Sequence, residues 1–238
     1  MSAKKIYHDI LDRGADYFSD SFDQKKRKTP PFGKVQIYER KIGGTDKKLY
    51  LIGETSNIIV YRGRHWLIQR AFNKSFNSNL KDLYIGWFAV GTGGLVGGDP
   101  YTPSQPDLKD TQLGNHAPLG SSDNIITFND KQYHCFDGAN NTSPTYPEFQ
   151  ADPEIDEGAG DNRYLVAKIT VTLTSEEGNG TGSGGQTKQF LSEAGLFVSD
   201  SRTPSPMPTV MEMFARTTFT AREKSSDNEL VFNWYIFF

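Results

Sequence analysis

The sequence predicts a mainly β protein, an antiparallel β-sandwich (jelly-roll-like) with one short helix, long loops and an extended N-terminal arm. The 238 residues include 23 glycines and 12 prolines, and 13% are aromatic, a composition typical of many strands joined by turns. Residues 163–174 alternate between apolar and polar, which predicts a strand with one covered face in an antiparallel sheet. The last run, 230–238, has a wholly apolar face that includes Trp234, and we expect it to be a core strand.

Two parts are predicted, an N-terminal arm of residues 1–33 and a β-sandwich domain of residues 34–238. In the arm, a loose helical pattern is followed by the basic run 25–28 and a Pro-Pro pair, which cannot continue a helix, so we interpret this stretch as a linker. The domain contains a long insertion loop at about 95–130, rich in Gly, Pro, Ser, Asp and Asn. Loops of this length are uncommon in compact domains and are usually functional or disordered.

Three elements are predicted ahead of this loop. The runs 34–40 and 48–52 flank a glycine turn and predict a hairpin. Ser56 and Asn57 are capping residue types, and apolar residues at i,i+4 spacing up to Phe72 predict a helix of two or three turns. The apolar run 83–90, stopped by glycine, predicts a strand buried on both faces.

The C-terminal part contains further strand-like runs at 187–191, 192–197, 213–219 and 230–238. A Gly-rich stretch precedes the first of them and predicts a flexible loop. Together with the earlier elements they predict about eight strands and one helix, which favours a sandwich over other β architectures.

Charge and cysteine content limit the function classes. A net charge of −3 gives no overall field that would attract nucleic acid, and we expect the short basic run 25–28 to be a solvated linker, so nucleic-acid binding is not expected. A single cysteine, Cys135, excludes a disulfide framework and a Cys-rich zinc module. No run of 18 apolar residues occurs. We therefore expect a soluble protein made in cytoplasm, without a membrane partner.

The motifs that usually carry chemistry are incomplete. The histidines lack metal-ligand spacing; they are His8, His65, His116 and His134. The turn 91–94 completes neither phosphate-binding glycine motif, and the acidic stretch 152–161 has Glu157 where a calcium loop needs glycine. We therefore expect no metal, no cofactor and no catalytic residue.

Two charged residues, Glu193 and Arg216, lie inside otherwise apolar closing strands. If 194–199 and 212–218 pair antiparallel, the two charges come close enough to form an ion pair across the hairpin. Such a structural ion pair would fix strand register more than it would add stability. The alternative, a catalytic acid beside an arginine clamp, lacks a nucleophile or second acid nearby.

Several short motifs resemble those of one protein family. A Gly-Thr-Gly turn ends the strand 83–90, a Gly-Leu-Phe motif lies in a closing strand, Phe-Ala-Arg-x-x-Phe comes after it, and the final strand is aromatic. In this order they resemble structural proteins of tailed-bacteriophage virions from the neck, tail or baseplate. The motif core comprises Gly91, Gly93, Gly195, Leu196, Phe197, Phe214, Phe219 and Trp234. The resemblance covers roughly 56–94 and 163–238.

The resemblance implies a non-enzymatic structural subunit that assembles into the virion in the host cytoplasm. It also implies a homo-oligomer that binds other virion proteins of the tail, neck, baseplate or capsid. Ring contacts commonly use sheet edges, long loops and terminal arms, and the candidates here are the strand 163–174, the loop 95–130 and the arm 1–33.

Two alternatives stay open. One is a carbohydrate- or receptor-binding module of a phage tail tip or fibre, which would need exposed aromatic side chains. Trp66, Trp87 and Trp234 all lie in apolar runs and are predicted to be core residues. The other is a glycan-cleaving enzyme, which needs two suitably spaced carboxylates in a cleft; the chain has many Asp and Glu residues.

Overall fold

A computed structural model describes residues 33–43, 48–72, 82–135, 148–151, 165–180, 188–201 and 203–237. Apart from Gly33, which begins the first strand, the predicted arm 1–33 lies outside the described residues. The basic run 25–28 and the acidic stretch 152–161 also lie outside them.

The described chain forms eleven strands and one helix. The strands are β1 (Gly33–Lys41), β2 (Tyr50–Ser56), β3 (Ile58–Ile59), β4 (Tyr84–Gly91), β5 (Ile125–Phe128), β6 (Lys131–Cys135), β7 (Glu148–Ala151), β8 (Leu165–Leu173), β9 (Lys188–Ser199), β10 (Met211–Ser225) and β11 (Asn228–Phe237), and the helix is α1 (Tyr61–Phe72). Sheet A has the order β2-β1-β11-β8-β7, and sheet B has the order β3-β10-β9-β4-β6-β5. All neighbouring strands run antiparallel.

The main core lies between the two sheets. Alternate residues of β1, β8 and β11 meet inward-facing residues of β4, β9 and β10, as expected for facing antiparallel sheets. The rings of Phe88 and Phe232, from opposite sheets, have centroids 5.1 Å apart. The prediction of a mainly β, sandwich-like fold with a short helix is therefore confirmed for the described part of the chain.

A second apolar layer covers the outer face of sheet B. Trp87, Phe197 and Met213 point to this face and pack with Leu113 of the segment 92–124. Because β4 contributes side chains to both layers, its central residues from Trp87 to Val90 are completely buried. The predicted burial of this strand on both faces is confirmed.

The helix α1 packs against β10. Trp66 meets Phe214 edge to face, with ring centroids 5.6 Å apart. A Cβ on Gly63 would lie 2.2 Å from the carbonyl oxygen of Phe214, so glycine allows the helix to approach the strand closely.

Several element boundaries differ from the predictions. The runs 187–191 and 192–197 form one continuous strand, β9, because Gly195 pairs on both sides, with Ala89 and Arg216. The helix begins at Tyr61 and is not capped by Ser56 or Asn57, because Ile58 and Ile59 first pair with β10.

The strand 163–174 and the loop 95–130, both predicted as candidate contact surfaces, also differ from the predictions. The Thr-rich strand, β8, is not a sheet edge, since it lies between β11 and β7. The C-terminal end of the segment predicted as the loop 95–130 contains β5, which pairs with β6.

Candidate functional site

The clearest polar site is on the outer face of sheet B. Glu193 lies opposite Thr218 in the β9–β10 register, so Arg216, two residues away, is its diagonal neighbour on the same face. The Arg216 Nη2 and Nε donate to Glu193 Oε2 at 2.6 and 3.1 Å. Glu193 is completely buried and Arg216 is 8% exposed. The structure thus brings the two predicted side chains together.

A third charge, Asp110 of the long segment, joins this pair. Its Oδ2 accepts a hydrogen bond from Arg216 Nη1 at 2.6 Å. Burial by itself would lower the pKa of Arg216, but the hydrogen bond to Asp110 and the charge of Glu193 outweigh burial and raise that pKa. The guanidinium therefore stays charged between two carboxylates.

The remaining lone pairs of Glu193 bind the backbone of the long segment. Its Oε1 accepts the amides of Gly93 and Asn115, and its Oε2 accepts the amide of Gly114, each at 2.9 Å. Three backbone donors and two guanidinium donors therefore surround one carboxylate. This network of Glu193, Arg216 and Asp110, named here the anchor, fastens both ends of the segment 93–115 to the sheet.

The anchor explains why glycines lie at and just after the end of β4. A Cβ on Gly93 would lie 2.5 Å from the amide nitrogen of Asn115 and 2.8 Å from Glu193 Oε1. A Cβ on Gly91 would lie 2.4 Å from the carbonyl oxygen of Asn115. Glycine is needed here because the backbone must approach the carboxylate and the returning chain closely.

The other residues of the predicted motif core do not join the anchor. Leu196, Phe214, Phe219 and Trp234 pack between the sheets. Phe197 packs on the outer face of sheet B, where it meets Tyr133 edge to face, and Gly195 leaves room for its ring. These motif residues therefore build the two apolar layers.

A second buried polar cluster was not predicted from the sequence. His134 Nε2 lies 3.3 Å from Glu177 Oε1, and His134 Nδ1 lies 3.1 Å from the carbonyl oxygen of Cys135. Burial opposes ionisation of Glu177, but the hydrogen bond and charge of His134 lower its pKa to about 2.

Lys224 lies close to this cluster and is completely buried in β10. Its Nζ donates to Asn179 Oδ1 at 2.7 Å and to the carbonyl oxygen of Ser225 at 2.8 Å. Burial lowers the pKa of Lys224 to about 8, although the charges of Glu177 and Glu229 oppose that shift. No periodicity in the sequence distinguishes this lysine from an exposed one.

Two further histidines have packing or local roles. His116 is half-buried, and its ring meets Tyr133 at 5.3 Å between centroids. Burial and, secondarily, the charge of Lys131 lower the pKa of His116 to about 4, so the ring is neutral at pH 7. On α1, His65 Nε2 lies 3.1 Å from Gln69 Nε2.

A shallow cleft of about 440 Å³ lies between α1 and the long segment. Its lining is Tyr61, Arg62, His65, Leu108, Lys109, Asp110 and Thr111. The only carboxylate in this lining, Asp110, is already paired with Arg216. Among the described residues, this lining therefore lacks the pair of carboxylates that glycoside hydrolysis needs.

Within the described residues, no group of three or more His, Cys, Asp or Glu side chains is placed to hold a metal ion. In the same part of the chain, no helix has the length and apolar character needed to cross a membrane. No protein-family model, curated protein or solved structure matches the chain.

Proposed function

We propose that this chain is a non-enzymatic structural subunit of a tailed-phage virion, in the neck, tail or baseplate. In this proposal it assembles as a homo-oligomer and binds neighbouring virion proteins. The observation that carries the proposal is the anchor, in which buried charges fasten a long surface segment to a rigid sandwich. Such an arrangement indicates that the role of the protein is to hold a surface in a fixed position.

The chemistry of the anchor supports a structural role. A general base needs a lone pair that can reach a substrate proton. Glu193 is completely buried and already accepts five hydrogen bonds, three from backbone amides and two from Arg216. Its carboxylate can therefore hold the segment in place but cannot readily take a proton from a substrate.

The order of the motifs is what leads us to propose a structural protein of a tailed-phage virion in particular. The Gly-Thr-Gly turn, the Gly-Leu-Phe motif and the Phe-Ala-Arg-x-x-Phe motif contribute to the anchor or to the two apolar layers. The resemblance to virion proteins therefore concerns residues that form this scaffold, while partner contacts would lie on the surfaces around it.

Mass spectrometry of purified particles of the phage that encodes this chain tests the proposal. We expect the protein at a fixed copy number relative to the major capsid protein, because symmetric assemblies have defined stoichiometry. Its absence from infectious particles, with abundant protein in the infected cell, would exclude a structural role.

A carbohydrate- or receptor-binding module is the second candidate, and one surface favours it. The outer face of sheet A carries the partly exposed side chains of Tyr38 and Tyr235. Between them in register lies a polar row containing Gln36, Asn233 and Thr170. Aromatic rings beside amides and hydroxyls suit the apolar faces and hydroxyls of sugars. Glycan-array binding that is lost in Tyr38→Ala and Tyr235→Ala would favour this alternative.

A further inference from the structure

Lys224 is a buried amine held against the side-chain amide of Asn179. Lys224 lies in β10 and has no exposed surface. Its Nζ donates to Asn179 Oδ1 at 2.7 Å and to the carbonyl oxygen of Ser225 at 2.8 Å. Both of these partners are uncharged, which is unusual because a lysine is almost never fully buried unless its charge is paired. The contact with Asn179 therefore needs an explanation beyond charge pairing.

The hydrogen bond brings the amine of Lys224 close to the amide carbon of Asn179. Since Oδ1 is bonded to Cγ at about 1.2 Å, Nζ lies no more than about 4 Å from Cγ. Atoms that are placed to react lie about 3 to 3.5 Å apart. A small rotation of the lysine side chain therefore brings Nζ and Cγ to reacting distance.

The turn that carries Asn179 is fixed, so the two groups stay in contact. Asn179 Nδ2 donates to the carbonyl oxygen of Ser175, which orients the side-chain amide. The amide of Gly178 donates to the carbonyl oxygen of Leu119 at 2.8 Å, which ties the turn to the neighbouring segment. Two groups held in one geometry react far faster than the same groups free in solution.

Burial also makes the amine of Lys224 more nucleophilic, because only the neutral form of a lysine attacks a carbonyl carbon. Burial lowers the pKa of Lys224 to about 8, although the charges of Glu177 and Glu229 oppose that shift. Roughly a tenth of the amine is therefore neutral at pH 7. A lysine with the ordinary pKa of 10.5 would be neutral in fewer than about one molecule in a thousand.

We propose that Lys224 and Asn179 form an isopeptide bond within one chain. Nζ of the neutral amine attacks Cγ of Asn179 and forms a Cγ–Nζ bond; one proton passes from Nζ to Nδ2, the Cγ–Nδ2 bond breaks, and ammonia leaves. An amine and an amide give a new amide, so the reaction needs no oxidant, reductant or further reactant. Asn179 is only partly buried, which lets the ammonia reach solvent. The bond does not depend on the proposed virion role.

This bond would join the two sheets covalently. Asn179 follows β8 of sheet A, and Lys224 lies near the end of β10 of sheet B. The bond would close a loop that spans 45 positions of the chain. Such a cross-link restricts the unfolded chain, as a disulfide does, and so stabilises the folded state. The single cysteine of this chain cannot form a disulfide within it.

Intact-mass spectrometry of the purified full-length protein tests the bond. After incubation above the Lys224 pKa of about 8, we expect a mass lower than the sequence mass by one molecule of ammonia. Lys224→Met and Asn179→Ala should each keep the full mass of the variant sequence. Lys188→Met is the matched control, because Lys188 pairs with Glu223 on an exposed surface. It should lose ammonia as the unaltered protein does.

Cyanogen bromide cleavage locates the bond. This reagent cuts after methionine, and the internal methionines all lie between Asn179 and Lys224; they are Met207, Met211 and Met213. In the cross-linked protein, the fragment that ends at Met207 and the fragment that follows Met213 should stay joined under denaturing conditions. In Asn179→Ala the same two fragments should separate.

A protein that keeps its full sequence mass, or whose two fragments separate after cleavage, would overturn the isopeptide bond. A loss of ammonia that persists in Lys224→Met would overturn it too, since cyclisation of Asn179 onto the Gly180 amide also releases ammonia but needs no lysine. If Lys224→Met fails to fold, cleavage still separates the two reactions, because that cyclisation does not join the fragments.

The bond removes the titrating amine of Lys224. Any dependence of stability on pH that comes from this lysine therefore belongs to the chain before the bond forms. The mass of the protein identifies which form is present in a given sample.

Discussion

The carboxylate of Glu193 accepts two hydrogen bonds from Arg216 and three from backbone amides, and all five donors are within 3.1 Å. Ion pairs inside proteins lose hydration, and the mutual attraction of the charges offsets this loss only when the remaining lone pairs are also satisfied. Here they are satisfied by the segment 93–115. The pair consequently determines the position of that segment as well as the register of β9 and β10.

Arg216→Ala should strongly destabilise the protein. It leaves the Glu193 carboxylate buried with only backbone donors, and removing one partner of a buried pair typically costs about 3 to 5 kcal/mol. Lys188→Ala is the matched control, because Lys188 pairs with Glu223 at 3.2 Å on an exposed surface. It should change the free energy of unfolding by less than about 1 kcal/mol. Chemical denaturation of both variants measures the difference, and equal stabilities would contradict a structural role for the pair.

Lys224 should make stability depend on pH. Its folded pKa, about 8, is lower than the ordinary value of 10.5, so between these values the unfolded chain binds more protons and the folded state gains stability as pH rises. From pH 7.5 to 10, this residue should add about 2 kcal/mol to the free energy of unfolding. In Lys224→Met that contribution should vanish. Denaturation of both proteins at the two pH values measures it, and parallel pH profiles would show that Lys224 does not titrate as described.

At the scale of elements, the segment 92–124 is fixed at several points along its length. Besides the anchor, the amide of Ala117 donates to the carbonyl of Val90 at 2.9 Å, and the amide of Tyr61 donates to the carbonyl of Leu108 at 2.8 Å. Leu113 packs into the outer apolar layer. The segment therefore packs against the outer face of sheet B as a fixed covering layer and is not an independent loop.

Gly93→Ala should loosen this cover while the sandwich stays folded. The added Cβ would lie 2.5 Å from the Asn115 amide nitrogen, so the turn must move away from Glu193. We expect faster proteolysis and faster amide exchange in the segment 92–124, with unchanged strand content. Gly53→Ala is the control, because its Cβ would have no neighbour closer than 3.6 Å. Equal protection of the segment in both variants would contradict the role given to Gly93.

Deletion of residues 1–31 tests the arm as a separate element. The first strand begins at Gly33, so the deletion leaves β1 and its pairing with β11 intact. We expect unchanged β content by circular dichroism and loss of binding to a neighbouring virion protein in a pull-down assay. An unfolded product would show that these residues belong to the folded domain.

At the scale of the whole molecule, the features that depend on local periodicity could be predicted from the sequence. The alternation in β8 and the apolar run of β4 correctly indicated their buried residues, such as Ile169 and Trp87. Strand order and the short strand β3 were not predicted, because pairing partners far apart in sequence, such as Ile58 and Arg216, leave no local pattern. The four-residue strand β7 is too short to show a clear period. The strands β5 and β6 were also missed, although they pair across the two-residue turn Asn129–Asp130, whose positive φ angles are typical of a hairpin.

The candidate site was predicted only in part, because contacts between residues far apart in the sequence leave no local pattern. Glu193 and Arg216 were conspicuous because each interrupts an apolar strand. Asp110 was not, since an acidic residue in a Gly- and Pro-rich segment is ordinary, and its contact with Arg216 spans 106 positions of the chain. The buried partners His134 and Glu177 likewise come from separate elements.

We propose that this sandwich is a structural part of a tailed-phage particle. Imaging of intact particles at a resolution that traces the chain is the decisive test of this proposal. We expect symmetric density for the two sheets in the neck, tail or baseplate, with the segment 92–124 held against sheet B. Complete particles in which every density is assigned to other proteins would contradict it.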